Sequence, residues 1–289
     1  MASTYTTRDR GLKIQYSTWG PLDSGHVTLY FHGFPGSHLQ AQFLEKLFVS
    51  RGWGLIAADR PGYGGTDLHT PRDTQSYIQG LTEILDYHGV KRFSILGVSG
   101  GAPMAHLMAS HCSERVDKLV VVCGLATYGP HTLGHFSEFQ RRGLMLAHVL
   151  PSFLLLSIAN LASRFFNPAK KIEKFVKFLN SADRDVLLAP QNRDLLLASM
   201  NHARLQKAKG ILWDTKLFSM DWFEKACRVE NLSRFPVYYF HGGEDWLLSP
   251  EMAKSMHRQV PHSKLVIYEN EGHYSLPFRR AREILDSLV

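Results

Sequence analysis

The sequence predicts an α/β protein: a mostly parallel, twisted β-sheet flanked by helices, with a helical segment inserted between two of its strands. Three observations carry this expectation. From Val27 onward, short apolar runs alternate with helix-period segments, as successive βαβ units require. The alternation stops between about Tyr128 and Arg234, where helical patterns alone continue. Finally, 289 residues with 44% hydrophobic and 20% charged content can bury a large core, a composition that disordered chains do not have.

The elements follow in order. Thr4 to Thr7 and Leu12 to Thr18 are expected to pair as an antiparallel hairpin at the sheet edge. Val27 to Phe31 (VTLYF), Trp53 to Ala58 (WGLIAA), Phe93 to Val98 (FSILGV) and Leu119 to Cys123 (LVVVC) are continuous apolar runs, the pattern of strands covered on both faces. Val237 to Phe240 and Leu265 to Tyr268 continue the set. Tyr77, Leu81, Ile84 and Leu85 recur at helical spacing, and so do Phe278, Ala281, Leu285 and Leu288. Ser249 followed by Pro250 marks another helix start, because serine caps free N–H groups and proline's missing donor costs nothing in a first turn. The chain is thus expected to divide into a core of residues 1–127 and 235–289 and a helical cap at 128–234.

Inside that cap, Gly143 to Ser163 contains no acidic or basic residue, and its length matches the ~20 residues needed to cross a bilayer. Pro151 would break such a helix, and His148, Ser152 and Asn160 are polar. Two short helices packed on the core are therefore expected, with membrane contact by the cap as the lesser alternative. The densest basic segment, Lys170, Lys171, Lys174 and Lys177, interleaves with Ile172, Phe175, Val176 and Phe178 and reads as a solvated face over an apolar one. The 33 basic and 26 acidic residues give a net charge of +7 that no motif assigns to a partner. Zinc-finger spacing and RNA-binding signatures are missing, so nucleic acid is not expected. Cys112, Cys123 and Cys227 are too few and scattered for a disulfide framework or a zinc site, and MASTYTTRDRG lacks the apolar centre of a signal peptide. The expectation is a reduced, cytoplasmic setting.

The chemistry concentrates in loops that follow strands. Gly97-Val98-Ser99-Gly100-Gly101 sits between the FSILGV strand and a helix-compatible run, the context of a G-x-S-x-G turn that exposes a nucleophilic serine. By chance a chain this long holds about 0.1 copies of the pattern, so its position between strand and helix matters more than its spelling. A serine hydroxyl needs a base to take its proton and an acid to orient that base. His273 follows the last strand and Asp245 the one before it, placing both at the same sheet edge as Ser99; neighbouring Glu244 is the competing acid, and an acid after the strand ending at Cys123 is disfavoured because no Asp or Glu lies between Gly124 and Ser137. A developing oxyanion needs two backbone donors: Gly100 N–H is one, and the HGFPGS loop after VTLYF supplies the other, with Phe34 the candidate because Pro35 cannot donate. Asp59 and His32 are expected to have structural roles, and His241 to pack under the acid loop.

HGFPGS, DRPGYGGTD, GVSGG, HGGED and EGH, in this order and each after a strand, resemble the α/β-hydrolase superfamily over nearly the whole chain from Val27, the cap excepted. The resemblance implies Ser99 as nucleophile, Asp245 as acid and His273 as base, and a serine at that position argues against the dehalogenase and epoxide hydrolase branches, which use aspartate. Trp213, Phe218, Trp222 and Trp246 are candidates for the pocket wall, with plain core as the competing reading. The expected function is a serine hydrolase acting on an ester or related carbonyl compound with an apolar acyl or aromatic moiety. It would need a small-molecule substrate but no metal or organic cofactor. Carbon–carbon hydrolysis or perhydrolysis by the same residues, and a ligand receptor that retains them, are the alternatives.

Overall fold

A computed structural model describes residues 2–68, 73–130, 132–165 and 167–289. Its eight strands are β1 (Ala2–Thr6), β2 (Lys13–Trp19), β3 (Val27–Phe31), β4 (Gly54–Ala58), β5 (Phe93–Val98), β6 (Val116–Val122), β7 (Val237–Gly242) and β8 (Lys264–Tyr268). They form one sheet in the order β1-β2-β4-β3-β5-β6-β7-β8. The edge hairpin is as expected: β2 runs antiparallel to both β1 and β4, and every other pairing is parallel.

Helices α1 (Glu45–Ser50), α2 (Thr74–Tyr87) and α3 (Ala102–His111) lie between these strands. They explain why the central strands read as unbroken apolar runs. Leu29, Phe31, Ile56, Ile95, Leu119 and Val121 pack on one face of the sheet with Leu81, Ile84, Met104 and Leu107 of α2 and α3. Tyr30, Leu55, Ala57, Leu96, Val120 and Val122 alternate onto the other face with Phe48 of α1. With both faces covered, each residue of a strand gains from being apolar, whatever its parity. Strand β6 begins earlier than its apolar run because Asp117 and Lys118, only partly buried, continue the ladder at its polar end.

Between β6 and β7 the described residues form α4 (Glu138–Val149), α5 (Ser152–Arg164), α6 (Pro168–Phe175), α7 (Ser181–Leu188), α8 (Pro190–Ala203), α9 (Lys209–Phe218) and α10 (Trp222–Ala226). The charge-free stretch is two helices, as expected: Leu150 is extended (ψ 139°) ahead of Pro151, whose ring disfavours a helical predecessor. Among the described residues no helix is long and apolar enough to cross a membrane. After β7 come α11 (Pro250–Gln259), capped by Ser249, then α12 (Ser275–Arg279) and α13 (Ala281–Asp286) following β8. The final apolar stripe, which reads as one helix, is split at Arg280, where the side chain reaches back to Glu271 (Nε to Oε1, 3.1 Å).

The inserted helices are tied to the sheet by buried polar contacts. Asp214 on α9 accepts from Arg60 Nε (3.0 Å), Arg60 Nη2 (2.6 Å) and Tyr63 Oη (2.8 Å), all of it out of solvent. A bidentate guanidinium–carboxylate fork satisfies both charges, and losing either partner would strand the other in the interior. Gly210 lets α9 approach this closely, since a Cβ there would lie 2.5 Å from the Tyr63 ring. Ser199 Oγ on α8 accepts from Ser37 N–H (2.9 Å), and His202 Nε2 meets Asp59 Oδ2 (3.1 Å).

Candidate active site

Parallel strands place their following loops on one edge of the sheet, and adjacent β3, β5, β6, β7 and β8 bring the expected loops together there. Ser99 opens a tight turn between β5 and α3 with φ +53°, a left-handed conformation that costs a non-glycine residue roughly 1–2 kcal/mol. The turn is possible only because its flanks are bare. A Cβ on Gly97 would lie 2.6 Å from Ala105 Cβ, and one on Gly101 would lie 2.3 Å from Phe31 O. The strain and the two glycines aim Ser99 Oγ out of the sheet edge, toward the loop that follows β8.

There His273 Nε2 lies 3.0 Å from Ser99 Oγ, and His273 Nδ1 lies 2.7 Å from Asp245 Oδ2. All three residues are buried. Asp245 is held from both sides: Oδ1 accepts Leu247 N–H (3.0 Å) and Leu248 N–H (2.8 Å), and Oδ2 meets His241 Nε2 at 3.2 Å. Its neighbour Glu244 is exposed, which settles which of the two acids faces the histidine. Burial alone would raise the Asp245 carboxyl, but the charge of His273 and hydrogen bonds from His241 and His273 hold it well below the usual carboxylate range. Burial likewise pushes the His273 imidazole down. The Asp245 carboxylate, its hydrogen bond and the Asp183 carboxylate outweigh it, and the net shift is upward from 6.5.

The loop after β3 lies against Gly100: a Cβ on Gly100 would lie 2.6 Å from Phe34 Cβ and 3.2 Å from Phe34 N. The two backbone donors expected at an oxyanion are therefore neighbours beside Ser99. Gln40 Oε1 accepts Gly33 N–H at 2.7 Å and fixes this loop. His32 braces it as expected, with Nε2 accepting Arg60 N–H (3.1 Å) and Nδ1 donating to Gly33 O (3.0 Å). Ser99 and His273 open into a cavity of about 370 Å³ whose walls are mostly apolar, among them Phe43, Ile172, Phe175, Leu187, Leu196 and Met200.

None of the four aromatic pocket candidates is in that wall, which corrects the sequence reading. Trp213 and Trp222 are fully buried in the main core, where Trp213 packs edge-on to Tyr77 and Trp222 lies against His106 and Phe223. Phe218 backs Phe34, its ring edge-on at 5.5 Å, and half-exposed Trp246 packs against Phe175 of the wall, 5.2 Å away. Helical periodicity marks an apolar face without saying whether a core or a cavity lies beneath it. The wall comes instead from α6, α7 and α8, whose leucines and phenylalanines carry no distinguishing signal.

Asp183 is the residue that sequence reasoning missed. Fully buried on α7, it accepts three successive backbone N–H groups of the histidine loop: His273 at 3.0 Å, Tyr274 at 2.9 Å and Ser275 at 2.7 Å. On the same turn Asn180 Nδ2 donates to Glu244 O (3.3 Å), so one inserted helix touches both the acid loop and the base loop. In the sequence, Asn180 and Asp183 look like an ordinary helix cap, and Asn180 Oδ1 does cap Asp183 N–H (2.7 Å).

Two groupings among the described residues have metal-ligand chemistry: His38, Asp59 and His202, and Cys123, His241 and Asp245. In each the carboxylate meets ring nitrogens: His38 Nδ1 at 3.0 Å and His202 Nε2 at 3.1 Å in the first, His241 Nε2 at 3.2 Å in the second.

Comparison with known proteins agrees with this fold. A bifunctional esterase/perhydrolase of Acinetobacter calcoaceticus is 32% identical over 120 residues, 41% of this chain and 43% of that protein. A non-heme chloroperoxidase of Streptomyces lividans is 36% identical over 123 residues, so the chain matches less than half the length of either. The AB hydrolase superfamily protein YisY of Bacillus subtilis is 22% identical over 93% of this chain and 91% of its own. Among solved structures, an esterase from Exiguobacterium antarcticum superposes with a TM-score of 0.72 at 18% identity, covering 99% of this chain and 97% of its own. A bromoperoxidase from Bacillus anthracis gives 0.69 at 21% identity, covering 100% and 98%. The family described as the alpha/beta hydrolase fold matches residues 28–279, and the chain belongs to it.

Proposed function

We propose that the protein is a serine hydrolase that cleaves an ester or related carbonyl compound with an apolar acyl or aromatic moiety. Ser99 Oγ attacks the carbonyl carbon as His273 Nε2 takes its proton, and Asp245 holds the resulting imidazolium. The tetrahedral oxyanion is met by the N–H groups of Phe34 and Gly100. Its collapse expels the alcohol, protonated by His273, and leaves an acyl-enzyme that water hydrolyses with His273 again acting as base. The observation that carries this reading is the continuous run from Ser99 Oγ through His273 to Asp245, at 3.0 and 2.7 Å, on the floor of an apolar cavity. At about 370 Å³ the cavity lies near the lower end of the range of about 300–1,000 Å³ for small-molecule sites, which favours short acyl or aryl groups over long chains. A fluorophosphonate probe should label Ser99 in the folded protein and spare the Ser99→Ala variant; an unlabelled folded wild type would overturn the reading.

A general base works only while unprotonated. Because His273 is shifted upward, the acid limb of kcat/KM should have its midpoint above 6.5, with activity lost as pH falls through it. A limb centred well below that value would show that another group supplies the base. Gly100→Ala tests the donors: the new Cβ would force Phe34 away, and kcat is expected to fall about 10²- to 10³-fold, as for removal of one oxyanion donor, with KM little changed.

A second reading is favoured by the relative named as an esterase/perhydrolase: hydrogen peroxide in place of water attacks the acyl-enzyme and releases a peracid. Halide oxidation that depends on both ester and peroxide would detect it. A receptor with a swinging lid is the weaker rival, because a cap over residues 128–234 would have to break the buried Arg60–Asp214 pair and the three Asp183 hydrogen bonds to move.

A further inference from the structure

The chain's charge is unevenly placed. Residues 128–234 hold 16 lysines and arginines against 9 acidic residues, whereas the rest of the chain holds 17 of each, so the whole excess of +7 lies in the inserted helices. Within them, residues 138–178 carry seven basic and two acidic residues. The same stretch is unusually bare of cover. Ala147 is the one buried residue described on α4 and none is described on α5, while Val149, Phe153, Ile158, Leu161 and Phe165 are 72, 73, 48, 59 and 84% exposed. A water-facing helix does not keep so continuous an apolar face for nothing. Lys170, Lys174 and Lys177 are exposed on and just after α6, the next helix along the chain, with Ile172 and Val176 turned inward.

We propose that the α4–α5 face docks on an anionic lipid surface, its apolar side chains entering the headgroup boundary while the neighbouring lysines meet lipid phosphates. Charge and hydrophobicity agree on this occupant. Apolar side chains alone would suit a second copy of the chain, but two copies would bring two strongly positive segments together, whereas an anionic bilayer complements both features. The face also reaches the cavity: Phe139, in the first turn of α4, is 88% exposed and at the same time lines the space above Ser99. The docking stands on this surface and does not depend on the chemistry assigned to Ser99.

The test is flotation of the full chain with phosphatidylcholine vesicles, with and without phosphatidylglycerol, at low and high salt. Sedimentation of the lipid-free protein runs alongside. The wild type should float with anionic vesicles and bind neutral ones about tenfold less or weaker, with binding reduced by salt. Combined Phe153→Ser, Ile158→Ser and Leu161→Ser, at exposed positions where folding is little affected, should lower binding about tenfold or more, as should Lys170→Gln, Lys174→Gln and Lys177→Gln together. An unchanged melting curve and unchanged turnover of a water-soluble ester would show that the variants are folded. Absence of flotation with either vesicle, or flotation that neither variant set weakens, overturns the proposal. So does a dimer that the serine substitutions dissolve, which would make the face an interface between copies.

Discussion

Ser99→Ala is expected to lower ester turnover about 10⁶-fold, roughly 8 kcal/mol of transition-state stabilisation, while the protein stays folded. The size follows from what the hydroxyl does in the proposed cycle: without Oγ there is no covalent intermediate, and the base it faces at 3.0 Å has nothing to deprotonate except water. What remains should come from binding and the oxyanion donors alone, a residual of about 10³- to 10⁴-fold over water. Stability should barely respond. Alanine inherits the φ of +53° with the same strain, and the lost hydrogen bond to His273 is worth about 1 kcal/mol, a shift of roughly 2–4 °C in a chain of this class. Steady-state rates beside a thermal melt separate the two quantities. Turnover of Ser99→Ala within a hundredfold of wild type would move the nucleophile elsewhere.

The parts of this site that could be read from the sequence are those fixed by chain order. Strands that are covered on both faces must be apolar throughout, so β3 to β8 declare themselves, and in a parallel sheet the residues just after them share one edge. That is why Ser99, Asp245, His273, Phe34 and Gly100 could be named and then found within reach of one another. The cavity wall could not be found this way. Trp213 and Trp222 lie on helices with apolar faces, as do Ile172 and Leu187, yet the first pair faces the core and the second the cavity. The difference lies in how α6 to α9 sit on the sheet, which is set by contacts such as Arg60–Asp214 and Ser37–Ser199 between residues more than 150 positions apart. Local pattern carries no trace of such pairs, since an isolated aspartate on a helix reads as solvated surface.

The second large effect is expected at Asp183, which no catalytic pattern marks. Its carboxylate accepts three backbone N–H groups that no strand or helix provides for, and it does so fully buried. Charge-assisted hydrogen bonds contribute about 1.5–3 kcal/mol each, and a buried N–H left without an acceptor costs about 1–3 kcal/mol. Against the relief of no longer burying a charge, Asp183→Ala should destabilise the protein by on the order of 4 kcal/mol. Asp183→Asn, which keeps one oxygen but turns an amide toward at least one N–H, should lose roughly half as much. The catalytic consequence separates a loop anchor from mere packing. Asp183 is one of the charges that raise His273, so the neutral Asn variant should remain active with its acid limb moved to lower pH, because more acid is needed before the imidazole protonates. Its kcat should fall at high pH as well, where protonation is no longer limiting, since His273 Nε2 loses the backbone anchor that holds it at 3.0 Å from Ser99. Denaturant melts and pH–rate profiles of both variants test this. An Asn variant with the wild-type limb and the wild-type plateau would reduce Asp183 to a buried cap that holds α7 on the loop without shaping the base.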